Sequence, residues 1–475
     1  MKNTICIIAL WAASLSLFSS CSDWFDISPK TNLKAEELFE TESGFQSALA
    51  GIYISMGDEE AYGGNLSFGL IDQLAQLYDM IPNGANNREE IYRYNVDTTL
   101  GYKTKKKLAE SWQKAYNLIA NANNLMKWLD KNGERVLTDT NTRNMMRGEA
   151  LALRAFLHFD LLRAWGPMSY QEEQNTACIP YREVADNSKQ PLRTAKQVVE
   201  HILADLTQAE TLLSFEKGVS LEGNERRFRF NYYAIKALMA RVYCYSKDYT
   251  KALEAADEVI RNCGLQLQFD NTGDPSLFNE TLCAVNLYKM SDELSDNFAT
   301  GKFTQQYYCS MQTLNILFEN KSADMRYKST AFYRDNASQE AISLKYINND
   351  NEAIPLIRLA EMYYIKCEAS PLAQAAQYLN EVRNKRGISI SENYGTFGSE
   401  EDRVRALGLE YRKEFYAEGQ LFYFFKTHGV TQMDYCPTVT FNKDKYVFPL
   451  PDAEKEYGWT QQETPEGTTP EASTK

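Results

Sequence analysis

The chain has 475 residues, 44% of them hydrophobic and 24% charged, with a formal net charge of −13. This is the balance of a globular protein able to bury a sizeable core. The acidic surplus argues against nucleic acid and against anionic lipid surfaces as partners.

The first residues set the compartment. Lys2 supplies a positive start, Ile5 to Phe18 form a short apolar stretch, and Ser19, Ser20 and Cys21 follow. So short a run reads as a signal peptide, not a membrane span. Residues 1–20 are therefore expected to be removed. Cys21 is the expected lipidation site, and a plain cut near Ser20 is the alternative. Acyl chains contribute about 0.8 kcal/mol per buried methylene, so several of them make a stable anchor. The acidic stretch Ser22-Asp23-Trp24-Phe25-Asp26 resembles the surface-export signal of some Gram-negative lipoproteins. No later segment is long and apolar enough to cross a bilayer. The cysteines after Cys21 (Cys178, Cys244, Cys263, Cys283, Cys309, Cys367 and Cys436) are widely spaced without a CxxC pair. They read as buried small hydrophobes, not as a disulfide framework or a zinc site.

Helical periodicity then recurs along the chain. The spacing predicts helices over 108–129, 144–165, 195–213, 232–246, 249–262, 354–369 and 373–386. Gly166-Pro167 should stop the second, Thr194 should cap the third, and Gly264 and Gly387 sit at expected C-terminal caps. Residues 232–262 and 354–386 each read as an antiparallel hairpin of the tetratricopeptide kind. Small residues such as Ala237, Ala240, Ala252, Ala256, Ala375 and Ala376 let the helices approach closely. Between the helices, 57–105 and 264–352 are long irregular stretches, with a short strand expected near Leu282–Tyr288. Such long loops are unusual in a compact domain unless they bind something. Residues 460–475, rich in Thr, Pro, Glu and Gly, have the composition of a disordered tail. The expected fold is mainly α: one domain, 21–459, of degenerate helical hairpins with long loops and a few short strands.

Several segments, in order, resemble the SusD/RagB family of outer-membrane nutrient-binding lipoproteins. Pro29, Phe39, Phe45, Ala48, Gly51 and Tyr53 are similar to its opening helix. Trp112 to Tyr116 with Ile119, Ala122 and Asn123 follow. Arg147 to Phe159, running on to Trp165-Gly166-Pro167, is the closest match. Arg193-Thr194 with Ile202, Asp205 and Ala209, then Ala237 to Tyr243, Ile354 to Glu361, Leu379 to Gly387, Glu410 to Gly419 and Phe448 to Pro451 continue the series. The chain departs from the family pattern after Gly419, where Gln420-Leu421-Phe422-Tyr423 runs into Phe424-Phe425-Lys426, and after Glu454, where an Asn-rich turn is missing.

The resemblance implies a surface-exposed, lipid-anchored protein of the outer membrane. It would capture a nutrient, usually an oligosaccharide, and pass it to a SusC-like TonB-dependent transporter, without chemistry of its own and without a cofactor. The residues agree in part. There are three histidines, and His158 between Phe156 and Phe159 reads as a hydrogen-bonded core residue. No nucleophile elbow, Walker loop or HExxH is present. Glu410, Glu414 and Glu418 would share one helix face and could serve a glycosidase. An ion network with nearby Arg403, Arg405 and Arg412 is the structural reading, and Glu361 with Arg358 reads the same way. Asp270, Asn271 and Asp274 suggest a turn more than a calcium loop, so no metal site is expected.

Sugar recognition needs aromatic faces and polar groups on loops held by a rigid scaffold. Tyr78, Tyr92, Arg93 and Tyr94 in the first long stretch are the leading candidates, placed by the family's use of the region before the Trp112 helix. Tyr307 and Tyr308 in the second come next. The alternative class is a tetratricopeptide-type module that binds peptides or assembles complexes through a concave groove.

Overall fold

The computed structural model describes residues 35–79, 91, 101–186, 188–223, 225–298, 307–347, 351–433 and 439–460, without the side chains of 457–460. Cys21, Tyr92, Arg93, Tyr94 and Cys436 lie outside the described residues. Helix α1 (Glu42–Met56) starts where the Thr41 side chain accepts from the Gly44 N–H. Its Phe45, Leu49, Ile52, Tyr53 and Met56 recur at helical spacing and are buried. Burial stabilises each such apolar side chain by about 1.5–3 kcal/mol. A winding series of turns leads to the short helix α2 (Leu70–Leu74) and, farther on, to α3 (Tyr102–Val136) and α4 (Thr140–Trp165). Helix α5 (Ala195–Leu212) opens with the cap expected at Thr194, and Gln197 completes it as a capping box.

Helix α4 is the axis of the molecule. Every residue from Gly148 to Trp165 is buried. Its polar members survive there because each has a partner, as buried charge requires. Glu149 accepts from Arg226 at 2.6 Å, from Arg229 at 2.9 Å and from the Tyr53 hydroxyl at 2.9 Å. Arg154 donates twice to Asp205, at 2.6 and 2.7 Å. Asp160 accepts from Arg163 and, at 2.8 Å, from Tyr62. His158 is the core residue expected of it. Nε2 accepts from the Arg182 N–H at 3.0 Å and Nδ1 lies 2.8 Å from the Arg154 carbonyl, an arrangement that fits the neutral Nδ1–H tautomer. Burial lowers its pKa to about 3.

The two expected hairpins are present: α6 (Tyr232–Tyr245) with α7 (Tyr249–Asn262), and, beyond the short helix α8 (Met311–Leu317), α9 (Leu359–Ala369) with α10 (Leu372–Lys385). Gly264 and Gly387 follow α7 and α10 at φ +79° and +94°, the left-handed backbone of a C-terminal cap. Helices α7 and α9 pack together, which joins the hairpins. Helices α11 (Glu400–Glu414) and α12 (Leu421–Thr427) follow.

The helix predicted over 354–369 is divided. Ala353–Arg358 is strand β5, and only Leu359–Ala369 is helical. Its partner is β1 (Thr281–Asn286), near the strand expected at 282–288, with Cys283 opposite Ile357 and Val285 opposite Ile354. An unbroken apolar run has no periodicity that separates buried strand from buried helix, and the β1 partner lies some seventy residues away in sequence. A second sheet has the order β2 (Tyr308–Ser310), β4 (Glu340–Ser343), β3 (Phe332–Asp335), all antiparallel.

The first long stretch differs from an exposed loop. Most of Gly57–Tyr78 is buried, and its turns are pinned to the C-terminal motif. The Gly419 N–H donates to Asp72 at 3.0 Å. A Cβ on Gly419, whose φ is +71°, would lie 2.8 Å from the Leu66 carbonyl oxygen, so only glycine fits. The departure after Gly419 has a role of its own. The buried Lys426 ammonium donates to the carbonyls of Arg163, Ala164 and Gly166 at 2.8, 2.9 and 2.9 Å, closing the C-terminal end of α4.

The main hydrophobic core runs from Phe39 to Phe448, and Phe278, Ala284 and Ala353 form a small second cluster. The six described cysteines are free and buried. Among the described residues, no helix is long and apolar enough to cross a membrane.

Candidate ligand-binding face

The densest charge cluster is structural. Glu410 and Glu414 lie on α11, fully buried. Glu418 is not on that helix, because α11 ends at Glu414 and the backbone turns through Ala417 (φ +62°) and Gly419 (φ +71°). The turn carries Glu418 onto Arg358 at 2.9 Å and onto Lys345. Glu414 accepts from Arg358 at 2.7 Å, from Arg386 at 2.6 Å and from Arg326 at 3.1 Å. Glu410 accepts from Arg383 at 2.6 Å and Arg326 at 2.9 Å. Glu280 and Asp324 complete the charge balance on Arg386 and Arg326.

The arginines expected as partners go elsewhere. Arg403 donates to the Ser370 carbonyl and Arg412 to the Gln76 carbonyl, while Arg405 pairs with Asp402 at the surface. Glu361 pairs with Arg241, not with Arg358. The surrounding guanidinium groups hold the Glu410 carboxyl at about 2 despite burial, so it stays ionised. A carboxylate so enclosed has no open side for a sugar. Asp270, Asn271 and Asp274 form turns: their side chains accept from Thr272, Thr330, Ser276 and Phe278. Among the described residues no cluster could hold a metal ion.

The two long stretches meet at Asp79. Its N–H donates to the Tyr308 carbonyl at 3.0 Å. Its carboxylate accepts from the Ser310 N–H at 2.7 Å and from the Thr313 hydroxyl at 3.0 Å. Ser310 is itself the N-cap of α8, accepting from the Thr313 N–H at 3.0 Å. One aspartate thus fixes the entry to β2 and the start of α8 together.

Tyr78 is corrected by its position. It is 3% exposed, its hydroxyl donates to the Phe68 carbonyl at 2.9 Å, and its ring stacks on Tyr307 at 4.8 Å. It is the packed floor of the junction and offers no face to a ligand. Tyr307 is half-buried, with one face against Tyr78 and its edge near Phe298.

Tyr308 stands differently. It is paired with Ile342 on β4, and Ile342 is paired on its other side with Tyr333 of β3. Directly paired residues project from the same face of a sheet, so Tyr308, Ile342 and Tyr333 form one row. The opposite face carries Cys309, Ala341, Phe332 and Ser343, all buried. On the row's side Tyr333 is 41% exposed and Tyr308 half-buried, while Ile342 between them is buried at 2%. Strand spacing sets the two tyrosines about 10 Å apart. Ser310, Asp335 and Glu340 project from the same side. Backbone N–H groups of Ala337 and Ser338 hold the Asp335 carboxyl below its ordinary range. Flat aromatic surface beside hydroxyl and carboxylate groups, on a paired sheet, is the chemistry that polyhydroxylated ligands require. Tyr333 was missed in the sequence. The alternation in 332–335 and 340–343 around Asn336-Ala337-Ser338-Gln339 is the hairpin signal that could have found it.

Helix α6 is buried along its length except at Lys236 and Tyr243, covered in part by α9 and the β1–β5 pair.

A family model described as "Starch-binding associating with outer membrane" matches residues 23–244, and the SusD family model matches 284–426. SusD-like protein P2 of Formosa agariphila is 25% identical over 508 aligned positions, covering 91% of this chain and 94% of its own. A SusD-like protein of Bacteroides ovatus is 23% identical over 56% of this chain and 46% of its own. In structure, a SusD superfamily protein of Bacteroides thetaiotaomicron superposes with a TM-score of 0.68 over 88% of this chain and 98% of that one, at 21% identity. A laminarin-binding SusD-like protein superposes with a TM-score of 0.64 over 90% of this chain and 100% of that one, at 17% identity. The chain belongs to the SusD family of carbohydrate-binding proteins.

Proposed function

We propose that this protein is a lipid-anchored, surface-exposed binding protein that captures an oligosaccharide and delivers it to a SusC-like TonB-dependent transporter of the outer membrane. The observation that carries the reading is the Tyr308–Ile342–Tyr333 row, held on a paired sheet and locked through Asp79 to the first long segment. Sugar C–H faces stack on the two rings, and Asp335 and Glu340 take hydroxyl groups. The laminarin-binding neighbour of the same fold supports a glycan as cargo. The burial of Glu410, Glu414 and Glu418 in ion pairs supports capture without cleavage. Cys21 anchors the mature chain, residues 21–459 form the binding domain, and Tyr92, Arg93 and Tyr94 are further candidate ligand contacts.

Two measurements test this. Titration calorimetry of the soluble mature chain against laminarin, starch and a wider glycan panel should give binding to at least one, with no reducing sugar released. Detergent pull-down of the full-length protein should recover a TonB-dependent barrel in near-equal amount. Silence across the glycan panel, or recovery of a soluble partner in place of a barrel, would sink the proposal.

A further inference from the structure

A second concavity lies beside this face, made by other elements. It is a cleft of about 880 Å³ between α11, the end of α12 and the segment 429–433, with Ala75 and Gln76 at its inner lip. That volume is in the range of sites that enclose small molecules, about 300–1,000 Å³.

Its walls are aromatic and fixed in place. Tyr394 is half-buried, and its backbone is clamped by one side chain: Asn380 accepts from the Tyr394 N–H at 2.9 Å and donates to its carbonyl at 2.9 Å. The Arg383 guanidinium covers the ring at 4.4 Å. Arg383 is in turn tied to Glu410 at 2.6 Å, so the buried ion network backs this ring. Across the cleft, Phe424 is stacked between Tyr411 at 4.5 Å and His428 at 4.1 Å, and the half-buried Phe425 follows it. Polar side chains stand at the mouth: the Arg405–Asp402 pair on α11, and the exposed Thr431 and Gln432 opposite. Rigid aromatic walls with hydrogen-bonding groups at the rim are the features argued above for sugar binding.

The cleft adjoins the first face. Gln76 lines it, and Asp79, the junction residue, is three positions on. Three residues of chain span at most about 11 Å. The Gln76 carbonyl also accepts from Arg412, another lining residue, at 3.3 Å.

We infer that this cleft is a second saccharide subsite, which takes the distal part of an oligosaccharide whose other part lies on the Tyr308–Tyr333 row. The inference rests on the proposed function, and it makes the protein selective for chain length. Short ligands fill the row alone. Longer ones gain the stacking surface of Tyr394 and Phe425 and bind more tightly.

The test is calorimetry with size-graded oligosaccharides, from disaccharides upward, cut from laminarin and from starch. Wild type should bind the longer chains of one series at least tenfold more tightly than the disaccharide. Tyr394→Ala and Phe425→Ala should each remove most of that gain and leave disaccharide affinity unchanged. Val404→Trp adds bulk to the cleft from a half-buried position on α11 and leaves no void there. It should do the same, which guards against a variant that simply fails to fold. Unchanged long-chain affinity in folded variants would overturn the second subsite and leave the first face standing. Loss of disaccharide binding when Tyr308 is replaced, with no length dependence in wild type, would do the same. Absence of binding to every size in wild type would remove both readings together.

Discussion

The Glu414 network and the Asp79 junction both use carboxylates to tie distant segments together, yet they are built in opposite ways. Around Glu414 the partners are guanidinium groups, the site is sealed, and charge cancels charge: Arg326, Arg358 and Arg386 all reach one carboxylate. Around Asp79 the partners are a backbone N–H and a hydroxyl, and of the neighbouring row Tyr333 is exposed and Tyr308 half-buried. The difference shows that the most charged cluster of a protein need not be its working site. A sealed network holds the scaffold rigid. A face that collects a neutral, hydrated ligand needs stacking surface and few strong charges, because every charge it carries must be desolvated when the ligand binds.

The contrast can be broken most forcefully at Glu414. Glu414→Gln strands arginines in a sealed interior and should destabilise the fold by about 3–5 kcal/mol, read by equilibrium denaturation. A catalytic carboxylate would behave otherwise, keeping stability and losing release of sugar.

Acid should act next most strongly, and on the scaffold first. His158 is held at about 3 in the folded protein, below its ordinary value near 6.5. The unfolded chain therefore takes up a proton that the folded one refuses, and stability falls as pH drops from 6.5 towards 3. Glu410, held at about 2, adds a second loss as pH falls from about 4.5 towards 2. Melting temperature against pH should decline through both windows, and His158→Gln should flatten the upper one. A flat profile between pH 6.5 and 4.5 would contradict the buried neutral histidine.

At the open face the effects should reverse, with binding moving and stability holding. Tyr333→Ala and Tyr308→Ala should each weaken glycan binding about tenfold while changing stability by less than ~1 kcal/mol. The smallest expected effect is at the junction. Asp79→Ala removes the tie to Ser310 and Thr313, and should cost about 1 kcal/mol of local stability. Hydrogen exchange should show it as faster exchange at the Ser310 and Thr313 amides, with little change in α4.

How far the sequence reaches follows the same division. Local signals are legible. The Thr194 cap, the Gly166 stop, the left-handed Gly264 and Gly387 and both hairpins are set by residues close in the chain. Helix α4 was legible as a helix, but its all-round burial was not, because the polar groups that break its apolar pattern are satisfied by Tyr53, Arg226 and Asp205 from elsewhere. Strand β5 hid inside a helix-like run because its β1 partner is remote. The glutamates were recognised as ion-paired, yet their true partners Arg326, Arg383 and Arg386 lie far off in sequence while the nearby arginines serve other ends.

At the candidate face the sequence points to Tyr308 and to Tyr78, which is packing, and does not single out Tyr333. Sheet register sets Tyr308 and Tyr333 on one side, whereas Tyr78, outside any strand, is buried by its contacts with Phe68 and Tyr307. Tyr92, Arg93 and Tyr94 lie outside the described residues.

The most direct test of the central claim is calorimetric titration of the glycan panel into wild type and into Tyr308→Ala/Tyr333→Ala, each first shown to be folded by its melting temperature. The account predicts that wild type binds at least one glycan and that the double variant, melting at the same temperature, has lost that binding. Equal binding by both proteins, or none by wild type, would contradict it.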